Sequence, residues 1–181
     1  MSTKIIIPTF FVLLLFLFSC NQNRQKIIEE MIIASDESVI STEEKMQDRF
    51  INRQLESVNT ILFDGKSLDD KKVLLVYTGF DCQSCVDKGF LVLKNLQSQN
   101  TGHKVYVVAT NANLGRDQER NEFNDLVYND MNELIRTELK FLYTPVILVL
   151  DTDNRIIHLD FPKTHSNEKE IIEQINNAIL K

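Results

Sequence analysis

The chain has 181 residues, 43% of them apolar and 25% charged, which is the balance of an ordinary globular protein with room for one sizeable core and appendages. A formal net charge of −6 leaves no basic footprint for nucleic acid. Three cysteines are too few for a disulfide-stapled scaffold, and the chain carries no internal repeat or low-complexity tract.

The first twenty residues read as a targeting segment rather than as part of the fold. Lys4 supplies a positive start, and Ile5 to Phe18 is apolar apart from Pro8 and Thr9. As a helix those 14 residues would reach about 21 Å, short of roughly 30 Å of hydrocarbon, so a signal peptide over 1–19 is expected in preference to a membrane span. The run ends Leu17-Phe18-Ser19-Cys20, which resembles the bacterial lipobox. That resemblance implies cleavage before Cys20 and lipid attachment to it. A plain secretory signal with an incidental cysteine is the alternative. On either reading the mature chain leaves the cytoplasm for a more oxidising compartment.

Residues 20–40 then form the lipidated cysteine and a tether. Asn21 to Lys26 is polar, and the cluster Ile27, Ile28, Met31, Ile32 and Ile33 fits helix or strand. Ser41-Thr42-Glu43-Glu44 matches a capping box. Met46, Phe50, Leu55, Val58 and Leu62 follow at helical spacing and predict a helical extension over 41–62, packed against the main domain at 63–181. Asp64-Gly65 is a turn signal.

Lys71-Lys72 bounds an apolar run, Val73 to Tyr77, that reads as a buried strand. Thr78-Gly79 opens a turn, Cys82-Gln83-Ser84-Cys85 follows, and Val86, Phe90 and Leu93 stand at helical spacing. Strand, turn, Cys-x-x-Cys and helix is the order expected of a thioredoxin-like redox site. At the first turn of a helix, Cys82 meets free N–H groups and the positive end of the dipole, which favour thiolate. Cys85, one turn on, is close enough to close a disulfide with it.

The helix is expected to run to about Gln99 and to stop at Asn100-Thr101-Gly102. Lys104 to Thr110 reads as a second buried strand, and Asn111 to Asp125 as a loop with a short helix. Leu126-Val127-Tyr128 predicts a short strand, and Met131 to Leu142 a helix using Leu134, Ile135 and Leu139. Pro145 sits at the entry of the strand Val146 to Leu150, where proline is allowed. Asp151 to Asn154 is a turn and Arg155 to Asp160 the returning strand. From Asn167 a last helix presents Ile171, Ile172, Ile175, Ala178 and Ile179 on one face. The fold class is therefore α/β, in the order of the thioredoxin fold: a central mixed sheet flanked by helices, with the N-terminal helical extension.

From about Phe63 to Lys181 the chain resembles membrane-anchored thioredoxin-like thiol–disulfide oxidoreductases of the TlpA and ResA kind. Asp64-Gly65-Lys66, Cys82-x-x-Cys85 and Thr144-Pro145 carry the resemblance, and the stretch between Thr110 and Pro145 resembles their inserted strand and helix. It implies that Cys82 attacks substrate, that Cys85 resolves the mixed disulfide, and that the Thr144-Pro145 backbone, with its peptide bond cis, holds substrate alongside. The chain differs in three places. Asp81 stands where thioredoxins have an aromatic, and its charge would disfavour the Cys82 thiolate. Val76 occupies the place of a buried acid or amide, so no proton shuttle for Cys85 is evident. Gln83-Ser84 replaces the proline-containing pairs common between the cysteines.

The expected function is thus a lipid-anchored thiol–disulfide oxidoreductase on the extracytoplasmic side of a bacterial envelope. It would act without a cofactor on disulfides or thiols of exported proteins and draw on a membrane electron donor. Two other classes stay open: a binding or assembly lipoprotein that keeps the scaffold without turnover, which Asp81 and Val76 favour, and a copper or metal delivery protein using the dithiol. An inert bridge, or half a zinc site completed by His103, His158 or His165, is the blander reading of the cysteines. Phe80 is a candidate docking residue, and Tyr128 and Tyr143 are expected in the core or at its rim.

Overall fold

The computed structural model describes residues 42–63, 70–99, 104–112, 114–140 and 142–180. The signal peptide, Cys20, the tether, the Asp64-Gly65 turn and His103 lie outside the described residues. The chain divides into two compact units, 1–45 and 46–181. Of the first, only residues 42–45 are described, and they are helical.

Helix α1 covers residues 42–50 and α2 Ser57–Phe63. Strand β1, Lys72–Thr78, leads into α3, Gln83–Ser98, and β2, Lys104–Thr110. Then come α4, Leu114–Arg120, β3, Val127–Asn129, and α5, Leu134–Glu138. The chain closes with β4, Val146–Leu150, β5, Ile156–Asp160, and α6, Glu168–Leu180. The strands form one sheet in the order β3-β2-β1-β4-β5. Strand β1 is parallel to β2, as β2 is to β3, while β4 runs antiparallel to both β1 and β5.

Both faces of this sheet are covered, which is why β1 and β4 read as unbroken apolar runs. Val73, Leu75 and Tyr77 face one core, with Val86, Phe90 and Leu93 of α3 and Ile171, Ile172 and Ile175 of α6. Leu74 and Val76 face the other, with Met46, Phe50, Leu55, Val58 and Leu62, and with Ile135 and Leu139. The period of two along each strand sorts its side chains between the layers. Each large apolar side chain so buried contributes about 1.5–3 kcal/mol. The extension therefore supplies much of one core layer.

That extension is not one helix. Its apolar residues are buried as their spacing predicts, but α1 and α2 are separated at 51–56. Phe50 and Leu55 stand five apart, off the three-or-four rhythm, and Asn52 takes a left-handed φ of 67°. Amides that would continue a helix bond instead to the β4–β5 hairpin. Asn52 N–H donates to Ile156 O at 2.8 Å, Leu55 N–H to Asn154 O at 2.9 Å, and Ile156 N–H to Arg53 O at 2.9 Å. Gln54 bridges Arg155 there, so part of the exposed edge of the hairpin is paired.

Lys72 marks the strand boundary as expected, as the first residue of β1, but it is fully buried. Its Nζ donates to Asn154 Oδ1 at 2.7 Å, and Asn154 Nδ2 donates to Asn59 Oδ1 at 2.9 Å. The pairing meets the need of a buried cation for acceptors and ties α2 to the hairpin turn.

The helix expected over Met131 to Leu142 is short. Glu133 is left-handed, with φ of 51°. The buried Asp130 carboxylate accepts the amides of Leu134 at 2.8 Å and Ile135 at 3.1 Å, so α5 starts only there. Tyr128 packs edge-on against Tyr106, ring centres 6.1 Å apart. The Thr144–Pro145 bond is cis, and β4 begins at the next residue. Among the described residues, no helix is long and apolar enough to cross a membrane.

Candidate functional site: a dithiol at a strand–helix junction

The end of β1, the residues before β4 and the loop after β5 meet at one end of the sheet, because β4 enters beside the point where β1 leaves. Gly79 N–H donates to Thr110 O at 2.9 Å. A side chain at this glycine would place Cβ 2.0 Å from Asn111 O, so only glycine lets the turn lie this close to the end of β2.

Cys82 is the N-cap of α3 and is exposed, whereas Cys85 is half-buried; both are free thiols. The Cys85 thiol donates to Cys82 Sγ, the sulfurs 2.6 Å apart. Cys82 Sγ also lies 3.2 Å from Ser84 Oγ. Hydrogen bonds from the Cys85 thiol, then from Ser84, and then from the Cys85 backbone amide bring the Cys82 thiol from 9.0 down to about 7. Burial, and then the thiol's own hydrogen bond to Cys82, push Cys85 the other way. The pair is thus polarised: an accessible sulfur that ionises near neutrality, and a shielded one that holds its proton.

Thr164 belongs to this site and carries no signal in the sequence. It comes from the loop between β5 and α6, and its Oγ1 lies 2.6 Å from Ser84 Oγ, 3.7 Å from Cys85 Sγ and 4.0 Å from Cys82 Sγ. Ser84, between the cysteines, was legible only as a departure from the usual pairs. His165, next to Thr164, is exposed. Among the described residues, no group of three or more His, Cys, Asp or Glu could hold a metal ion.

Asp81 is oriented by two donors. Its Oδ2 accepts Thr78 N–H at 2.7 Å and its Oδ1 accepts Thr144 Oγ1–H at 2.9 Å. The carboxylate thus joins the Cys-x-x-Cys turn to the residue before the cis proline. Phe80 is 87% exposed and Tyr143 57%, so each of these two segments also presents an aromatic ring to solvent.

The first turn of α3 is braced from α4. Asp87 Oδ1 accepts Gln83 Nε2 at 3.1 Å, Arg120 Nε at 3.0 Å and Asn121 Nδ2 at 3.0 Å. Arg120 also reaches the buried Asp117 at 3.0 Å, and Asp117 accepts Tyr77 Oη–H at 3.1 Å. Burial and the negative Asp117 beside it raise the Tyr77 phenol, so it stays a donor.

No protein-family profile matches the chain, and no curated protein matches it significantly. Among solved structures it is similar to a secreted Mycobacterium tuberculosis disulfide oxidoreductase homologous to E. coli DsbE. The TM-score is 0.50 and the identity 17%, over 60% of this chain and 82% of the other. It is also similar to a provisionally named thiol:disulfide interchange protein DsbE from Chlorobium tepidum. Here the TM-score is 0.52 and the identity 15%, over 61% and 81% of the two chains. With this sheet order and the dithiol at the head of α3, the likeness establishes that the chain has a thioredoxin-like fold.

Proposed function

We propose that this protein is a thiol–disulfide oxidoreductase of the bacterial envelope, anchored by lipid at Cys20 and acting on disulfides of exported proteins. The observation that carries the reading is the polarised pair: exposed Cys82, lowered to about 7, beside the raised and half-buried Cys85. An inert staple has no use for that asymmetry. One of the structures it resembles is described as a disulfide oxidoreductase and the other as a thiol:disulfide interchange protein, which fits. The exposed rings of Phe80 and Tyr143 fit a protein substrate lying across the site.

The Cys82 thiolate attacks one sulfur of a substrate disulfide. The Cys82–substrate bond forms, the substrate S–S bond breaks, and its electron pair leaves on the second substrate sulfur, which takes up a proton. Cys85 then loses its proton and attacks Cys82 Sγ. The Cys82–Cys85 disulfide forms and the substrate departs as a dithiol, reduced by two electrons that the protein has lost. A membrane electron donor would restore the dithiol; with a scrambled substrate, the same first step begins isomerisation. Thr144 and Pro145 would lie along the bound segment.

The reduced wild-type protein should reduce insulin disulfides, with turnover when a dithiol reductant is supplied. Cys85→Ser should accumulate mixed disulfides with envelope proteins, and Cys82→Ser should accumulate few. Absence of turnover together with no trapped partner from Cys85→Ser would overturn the proposal.

A further inference from the structure

In the second step Cys85 must become an anion, and among the described residues no carboxylate of the site stands ready to help it. Val76, at the place of the expected acid or amide, is apolar and faces the core layer that α3 does not join. Asp81 is held by Thr78 and Thr144, Asp87 by Gln83, Arg120 and Asn121, and His165 is turned to solvent. What does touch Cys85 is Thr164, through its hydroxyl at 3.7 Å and also through its backbone amide.

The hydroxyls of Ser84 and Thr164 are 2.6 Å apart; Ser84 reaches Cys82 at 3.2 Å, while Thr164 lies nearer to Cys85, at 3.7 Å, than to Cys82, at 4.0 Å. A hydroxyl has one proton to donate and can accept as well. Their mutual bond can therefore point in either of two directions. We propose that Ser84 and Thr164 are catalytic residues: a reversible pair of hydroxyls that donates to whichever sulfur carries the negative charge.

The proposal rests on the dithiol reading and adds two residues to it. While Cys82 is the thiolate, Thr164 donates to Ser84 and Ser84 donates to Cys82, alongside the Cys85 thiol. Once Cys82 is bonded to substrate it no longer carries charge. As Cys85 ionises, both hydroxyls turn: Ser84 donates to Thr164, and Thr164 donates to Cys85. No proton crosses between the oxygens and no bond to carbon changes. Two rotations carry the stabilisation from the attacking sulfur to the resolving one, and a hydroxyl rotates far faster than sulfur exchange proceeds.

The test is the reaction of the reduced protein, with Cys20 replaced by alanine so that Cys82 and Cys85 are its two thiols, with an aromatic disulfide that releases a coloured thiolate. Attack by Cys82 expels one equivalent and forms the mixed disulfide; attack by Cys85 on Cys82 expels the second. Stopped-flow absorbance separates the two phases across a pH series. Thr164→Val, which removes the hydroxyl and keeps the shape, should slow the second phase about tenfold and move its pH midpoint up by about one unit, the weight of one hydrogen bond to a charge. Ser84→Ala should slow the first phase and raise its midpoint. Thr164→Ser should restore the second phase, which a merely structural role for the threonine does not predict. An unchanged second phase in Thr164→Val, or a Thr164→Ser as slow as Thr164→Val, overturns the hydroxyl pair alone. A Cys20→Ala protein with no further change that releases only one equivalent overturns the dithiol reading and this inference with it.

Discussion

Replacing Asp81 separates two roles that one carboxylate combines. It accepts a backbone amide at 2.7 Å and a threonine hydroxyl at 2.9 Å, and it directly precedes Cys82 in the chain. Asparagine can keep both partners. Its oxygen can accept Thr78 N–H, and its amide nitrogen can donate to Thr144, whose hydroxyl is free to accept. What is lost is the assistance of charge, about 1 kcal/mol for each bond, or about 1 kcal/mol in all after allowance for partial exposure. Alanine loses both bonds and should cost about 2 kcal/mol by the same reasoning. In a domain of this size each kcal/mol moves the unfolding midpoint by about 3–5 °C, so Asp81→Asn should fall by about 4 °C and Asp81→Ala by about 8 °C. The charge acts in the opposite sense on reactivity. With the negative group gone the Cys82 thiolate is favoured, and Asp81→Asn should alkylate faster than wild type near neutral pH. Thermal unfolding by circular dichroism and timed alkylation with peptide mapping read the two effects separately. If Asp81→Ala melts no lower than Asp81→Asn, the tie between the turn and Thr144 is refuted. If Asp81→Asn alkylates more slowly than wild type, the electrostatic role is refuted.

Lowered to about 7, Cys82 should alkylate faster as pH rises, gaining most between about pH 6 and 8 and then levelling, because only the thiolate reacts. Cys85 should follow only at higher pH, and a Cys82 midpoint near 9 counts against the geometry. Gly79→Ala should cost about 1–3 kcal/mol in chemical denaturation, since its Cβ would collide with backbone, whereas Gly115→Ala, with nothing within 4 Å, should be tolerated. An equal response from the two glycines would refute the close approach at Asn111. Cys20→Ala should release the protein from membranes or leave it unprocessed; intact-mass detection of a mature chain that starts elsewhere without acyl groups would reject the anchor.

What could be read from the sequence was whatever chemistry repeats locally. Val73 to Tyr77 and Val146 to Leu150 are apolar without a break because both their faces are covered, and the two cysteines three apart mark the helix start. The break between α1 and α2 was harder to see. Its only local trace is the interval of five from Phe50 to Leu55, and its cause is a hairpin a hundred residues away. Thr164 could not be found at all. A threonine in a loop resembles any other until the chain returns β5 beside β4 and brings that loop to α3. Asp81 was visible as a charge, but its direction depends on Thr144, 63 residues later.

The burial of Lys72 gives the protein a chemical seal. Its amine is 0% exposed and engaged by Asn154, whereas Lys169 on α6 is open to water. An amine-acylating reagent in native buffer should mark Lys169 at once and Lys72 only in molecules whose central strand has come apart. The ratio of the two marks, read by mass spectrometry, then counts sheet-opening events under native conditions. Because neither lysine lies at the sulfurs, the same count taken before and after oxidation of the dithiol would measure how firmly each redox form holds its sheet closed.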